Sequence, residues 1–117
     1  MQVRKFIYKI CSVHEWSNFK KKKNFYGTKK DLLDKYIHLS NKNQVKTTLK
    51  KHYNKKNNLI LLKINTSKLK KLIWEKSVDG IFFPHLYSHL NIKSVKEIYK
   101  LHLNKNSKHV FSSRMIL

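Results

Sequence analysis

Tyr36-Ile37-His38-Leu39-Ser40 decides how this chain is read. Successive side chains of a strand point to opposite faces, so Ile37 and Leu39 are expected to enter a core while Tyr36, His38 and Ser40 line the other side. That second face is a ready floor for a ligand. A later stretch, Phe83-Pro84-His85-Leu86-Tyr87, has the same character: Pro84 fixes the backbone, and aromatic neighbours bracket a histidine. The two stretches are expected to meet in one site.

Upstream, Lys5 to Ile10 alternates, with Phe6, Tyr8 and Ile10 on one face and Lys5, Ile7 and Lys9 on the other, the pattern of a first strand. Ser12-Val13-His14-Glu15 has capping-box spacing and predicts a helix through Trp16 and Phe19, ended by the run Lys20 to Lys23. Tyr26-Gly27-Thr28 turns the chain before Asp31-Leu32-Leu33-Asp34 and the strand around His38. Downstream, Asn41 and Gln44 repeat the cap signal ahead of an amphipathic helix over 42–53, built on Val45 and Leu49. Leu59 to Ile64 predicts a strand with Ile60, Leu62 and Ile64 facing one way. Thr66 or Ser67 is expected to cap a short helix carrying Leu69, Leu72 and Ile73, followed by a turn at Ser77 to Gly80. Tyr99, Leu101 and Leu103 alternate with Lys100 and His102 in a last strand, and the segment from Asn104 onward has no assigned element. Few helices among short alternating strands give a small α+β domain over residues 1–117, with its core at about 5–103 and a tail at 104–117.

A formal net charge of +21 ordinarily points to a polyanion partner, because clustered cations release counterions on binding phosphates. Of the 27 basic residues, however, only Arg4 and Arg114 are arginine, and the chain has no alanine, two glycines and one proline. An AT-rich genome produces that composition without selection for nucleic acid, and readers of nucleic acid favour arginine for bidentate contacts. The charge is therefore attributed to coding bias. The single cysteine, Cys11, excludes an internal disulfide framework and suits a reducing compartment. No apolar run reaches the length of a membrane span, so a cytoplasmic protein is expected.

His38 and Ser40 on one strand face offer hydrogen-bond donors, and the imidazole serves as acid or base near neutral pH. Glu75, one of only six acidic residues among so many lysines, is a candidate catalytic or ribose-binding carboxylate. His85 and His89 have the spacing of two ligands on a helix, but the glutamate of a His-Glu-x-x-His site is missing, and no metal is expected. There is no glycine-rich phosphate loop.

In order along the chain, Ile7-Tyr8-Lys9-Ile10-Cys11, Glu15-Trp16, Tyr36-Ile37-His38-Leu39-Ser40 with Gln44-Val45, Leu61 to Ile64, Trp74-Glu75 and Phe83-Pro84-His85-Leu86-Tyr87 resemble the small bacterial family called domain of unknown function 952. The resemblance runs from about Ile7 to Leu103. It implies a fold similar to the ADP-ribosyltransferases, a small split, mostly antiparallel sheet with flanking helices that binds nicotinamide adenine dinucleotide (NAD) in a cleft. By the same similarity, Lys9 on the first strand stands where transferases place a histidine or arginine against the ribose. His38 and Ser40 belong to the strand contacting the nicotinamide ribose. The cleft is then expected to have His38 and Ser40 as its floor and Lys9, His85 and Tyr87 as its rim, with Glu75, which the similarity does not align, as the candidate for the catalytic carboxylate. The implied ligand is NAD or ADP-ribose, and the implied activity is ADP-ribosyl or related glycosyl transfer, or hydrolysis. Two rival readings are a lysine-driven nucleic-acid-binding module and a catalytically inactive fold serving protein interaction.

Overall fold

The structure, a computed structural model, describes residues 5–111. In chain order the elements are β1 (Phe6–Ser12), α1 (Val13–Lys22), β2 (Asn24–Phe25), α2 (Lys29–Asp34), β3 (Ile37–His38), α3 (Val45–His52, entered through a 3-10 turn at Lys42–Gln44), β4 (Leu59–Asn65), β5 (Leu72–Lys76), β6 (Phe82–Leu86), β7 (Leu90–Asn91), β8 (Val95–Leu103) and β9 (His109–Val110). This is a small α+β fold. One sheet has the order β1-β4-β8-β9, a second β3-β6-β5, and β2 pairs with β7. Every strand pairing is antiparallel.

The two larger sheets are stitched where β1 passes the end of β3. There the Tyr8 amide donates to the Ser40 carbonyl at 2.7 Å, and the Ser40 amide donates back to the Tyr8 carbonyl at 2.9 Å. This bridge brings Lys9 beside His38.

β1 and β4 are buried on both faces. Ile7 and Cys11 of β1, with Ile60, Leu62 and Ile64 of β4, pack against Trp16 and Phe19 of α1 and against Ile37, Leu39 and Leu86 of the second sheet. Tyr8 and Ile10, with Leu59 and Leu61, pack instead against Val45 and Leu49 of α3. Each fully buried aliphatic side chain contributes about 1.5–3 kcal/mol relative to exposure, so the two helices dock on opposite faces of the same strand pair. Both read caps are present. Ser12 Oγ accepts from the Glu15 amide at 3.0 Å while Glu15 Oε1 accepts from the Ser12 amide at 2.7 Å, and Asn41 and Gln44 make the same reciprocal pair.

The short helix expected over Leu69, Leu72 and Ile73 is corrected. Only Thr66–Lys68 forms a 3-10 turn, and Leu72–Lys76 is a strand paired with β6. Leu69, Leu72 and Ile73 fall at helical spacing, yet β-branched Ile73 and aromatic Trp74 suit a pleated surface, and cross-strand pairing decides. The stretch Phe83 to Tyr87 forms most of that partner strand, and Pro84, which has no N–H, accepts from the Leu39 amide at 3.1 Å. Of the segment left without an element, His109–Val110 pairs with β8, and residues 112–117 lie outside the described residues.

Candidate functional site

The site is built on the face of the second sheet opposite Ile37, Leu39 and Leu86. His38 of β3 and His85 of β6 are direct cross-strand partners, with ring centroids 5.7 Å apart. Tyr36 lies over both: its ring stacks on His85 at 4.1 Å, sits 4.5 Å from His38 and reaches Tyr87 at 5.3 Å. The two histidine-bearing stretches thus share one face, with Tyr36 as its platform.

Glu75 arrives from β5. Its Oε1 accepts from Tyr87 Oη at 2.5 Å and lies 2.9 Å from His85 Nδ1. These hydrogen bonds, Tyr87 first and His85 second, hold the Glu75 carboxyl below its ordinary pKa against a smaller opposing effect of burial. The same bond to Glu75 pushes the Tyr87 phenol up to about 12. Both contacts converge on Oε1, and among the described residues Oε2 has no hydrogen-bond partner. The result is a half-exposed, ionised carboxylate with one oxygen fixed and the other available.

Beneath His38 lies a buried charge cluster. α2 begins with a third capping box, in which Thr28 Oγ1 accepts from the Asp31 amide at 3.2 Å and Asp31 Oδ2 accepts from the Thr28 amide at 2.8 Å. The capping carboxylate also reaches inward. Asp31 Oδ2 pairs with Lys9 Nζ at 2.8 Å, while Asp31 Oδ1 accepts from the His38 amide at 3.1 Å and lies 2.6 Å from His38 Nδ1. The Lys9 side chain is 3% exposed and that of Asp31 1%. Burial is the largest influence on Asp31 and alone would raise its pKa; the hydrogen bond from His38, the charge and hydrogen bond of Lys9 and the Thr28 amide together hold it well below the usual carboxylate range. Lys9 Nζ also donates to the His38 carbonyl at 2.9 Å, so His38 is gripped through its amide, its carbonyl and its ring.

The outer ring nitrogen, His38 Nε2, lies 2.9 Å from Asp34 Oδ2 in the last turn of α2, an oxygen that Lys30 also binds at 3.1 Å. The ring donates to both carboxylates only as the imidazolium. With Nδ1–H given to Asp31 in the neutral form, Nε2 becomes an acceptor.

Of the residues singled out from sequence, His38, Glu75, His85 and Tyr87 come together on this face. Lys9 does not reach the rim: it is buried, and its ammonium is spent on Asp31 and the His38 carbonyl. Ser40 is not on the open floor either. At Ser40 the chain leaves β3 to bridge Tyr8, and its hydroxyl lies buried, 3.2 Å from Thr48 Oγ1 of α3. His85 and His89 diverge, His89 stacking toward Tyr26 at 5.3 Å. Cys11 is buried in the core, and that burial pushes its thiol up to about 12, an inert setting. Sequence reading gave no role to Asp31 or Asp34; it placed Tyr36 on the same face as His38 but not as a platform over both histidines. The Thr28-x-x-Asp31 spacing was the available signal for Asp31, since it matches the other two caps.

The profile of the family described as "Protein of unknown function (DUF952)" matches residues 10–98. The chain belongs to the DUF952 family. The matched DUF952 span takes in Asp31, Tyr36, His38, Glu75, His85 and Tyr87 and leaves Lys9 one residue outside. The protein is similar to CC0527 from Caulobacter crescentus: a crystal structure of that protein is 35% identical, covers 96% of this chain and 99% of its own, and superposes with a TM-score of 0.87. A crystal structure of a CC0527 double mutant gives 34% identity with the same coverage and a TM-score of 0.87. The solution structure gives 38% identity over 88% of this DUF952 chain and 90% of the other, with a TM-score of 0.78. No curated protein matches the chain. Among the described residues, no helix is long and apolar enough to cross a membrane.

Proposed function

We propose that this DUF952 protein binds a nucleotide of the NAD or ADP-ribose type across the His38–His85 face, in the manner of the ADP-ribosyltransferase-like fold that its sequence resembles. The observation that carries the reading is the Glu75 carboxylate, ionised and half-exposed, with Oε1 held by His85 and Tyr87 and Oε2 without a partner among the described residues. A fixed carboxylate with one open oxygen suits a ribose hydroxyl in the ground state and positive charge developing at the anomeric carbon in a glycosyl-transfer transition state. Beside it, the half-buried Tyr36 ring, already stacked on His85, offers a face on which a flat base adds one more layer. Lys9 and Ser40 act from below, Lys9 by fixing Asp31 and His38, and Ser40 by joining β1 to β3.

Calorimetric titration with NAD and ADP-ribose tests the reading. Binding in the micromolar to millimolar range is expected, weakened by Glu75→Gln and by His85→Ala while the fold is retained. Absence of binding at millimolar ligand, or parental affinity in Glu75→Gln, counts against the site.

A further inference from the structure

We propose that His38 is a proton-operated latch on α2: its imidazolium pins the C-terminal turn of that helix to β3, and loss of the proton releases the turn. The latch belongs to the folded chain and stands whether or not the face binds a nucleotide. α2 is held by charge, not by apolar packing. Its one buried residue is Asp31, while Leu32 and Leu33 are 63% and 74% exposed. Asp31 fastens the helix through the Thr28 cap, Lys9 and His38 Nδ1, and Asp34 fastens its far end through the 2.9 Å contact of Oδ2 with His38 Nε2. The last turn of α2 has no basic residue of its own, unlike those of α1 and α3, so the imidazolium supplies the cation that the exposed carbonyls of a helix end favour.

Both carboxyls are ionised wherever an imidazole titrates. Against the opposing effect of burial, the bonds from His38, Lys9 and Thr28 hold Asp31 well below the usual carboxylate range, and the hydrogen bond from Lys30 leads in holding Asp34 below its ordinary value. A ring set between two carboxylates donates to both only while it carries two protons. Once neutral, it keeps Nδ1–H on the buried Asp31 and turns a lone pair toward Asp34, which stays with Lys30 at 3.1 Å. Docking of the turn and protonation of the ring therefore favour each other: the turn is docked on the acid side of the His38 titration and is released as pH rises through it. The charged and titratable groups around the ring are Lys30, Asp31 and Asp34 of α2, Lys9 of β1, Tyr36, His85 of β6 with its partner Glu75 of β5, and His52 of α3. Lys35 closes the helix in the left-handed region at φ 68°, and its amide, like that of Tyr36, donates to the Asp31 carbonyl. The turn leads straight into the ring that lies over His38 and His85, so its release loosens the Tyr36 platform.

The test is amide hydrogen exchange followed by NMR from about pH 5 to about pH 8, corrected for the intrinsic pH dependence of exchange, beside titration of the His38 and His85 imidazole signals in the same samples. No ligand is added. Protection of the Lys35 and Tyr36 amides is expected to fall by about five- to tenfold across the interval, with the midpoint of the His38 titration. Asp34→Asn should flatten that fall, because a carboxamide at this position accepts from the imidazolium and donates to the neutral ring. Corrected protection that stays level in the parent, a fall that follows His85 in place of His38, or a parental fall in Asp34→Asn overturns the latch. If Asp34→Asn fails to fold, agreement or disagreement between the exchange midpoint and the His38 titration in the parent decides.

Discussion

His38 and His85 are register partners across β3 and β6, and a single tyrosine ring lies over both. A pair of imidazoles on adjacent strands is polar and half-exposed, so its apolar cover has to come from elsewhere. Tyr36, at the junction of α2 and β3, supplies it. If that ring is the platform for a base, Tyr36→Ala should weaken binding of NAD and ADP-ribose by about 1–3 kcal/mol, the range for loss of one base–aromatic stack. Ribose 5-phosphate, which has no base, should be affected much less. Calorimetry on both ligand types reads the difference, and equal losses for the two would place the base away from Tyr36.

Lys9 and Asp31 form a buried ion pair at 2.8 Å, which predicts strongly non-additive mutational effects. Removing one partner leaves an uncompensated charge in the core, and Asp31→Asn or Lys9→Met should each cost about 3–5 kcal/mol. Replacing both by apolar residues of similar volume should cost far less than the sum of the two, because the desolvation penalty goes with them. Urea denaturation of the four proteins gives the coupling energy. A coupling near zero would mean that the pair is not formed in solution.

The same carboxylate makes stability depend on acidity. The folded Asp31 carboxyl titrates below its ordinary value of 3.8, so its contribution is complete above that value and is lost as pH falls through the folded value. The urea midpoint of the parent should therefore drop steeply from about pH 5 to about pH 2. Asp31→Asn, which has no carboxyl to protonate, should start lower and fall less over the same interval. A variant that falls in parallel with the parent would assign the acid sensitivity to another group.

How much of this was legible in the sequence depended on whether a signal was local. The caps at Ser12 and Asn41, and the alternation of Ile60, Leu62 and Ile64, are written within a few residues, and the structure has all three. The placement of Ile37 and Leu39 in the core, with His38 opposite, followed from the period of a strand. β5 was misread because Leu69, Leu72 and Ile73 mimic one helical face, and only pairing with β6, a contact between segments apart in sequence, settles the matter. Lys9 and Asp31 were the hardest. Lys9 reads by resemblance as a ribose contact and Asp31 as a carboxylate with no role, and only the Tyr8–Ser40 bridge brings them together inside. Ser40 failed for the same reason: strand alternation put it beside His38, whereas the bridge that ends β3 turned it toward Thr48.

Gly27 couples the turn before α2 to the site. Its φ of +124° lies where residues with a side chain are strained, and a Cβ built there would come 2.6 Å from Asp31 Cβ. Gly27→Ala should therefore cost more than about 1 kcal/mol, and it should do so by displacing the carboxylate that holds the His38 ring. Gly80 is the matched comparison: its φ of +82° also disfavours alanine, but the nearest atom is the flexible end of Lys76 at 3.6 Å. Both substitutions should lower the urea midpoint, whereas only Gly27→Ala should shift the imidazole NMR signals of His38 and change their dependence on pH. If the His38 signals stay fixed in Gly27→Ala while stability falls, the cost is backbone strain alone, and the cap of α2 tolerates movement without passing it to the histidine.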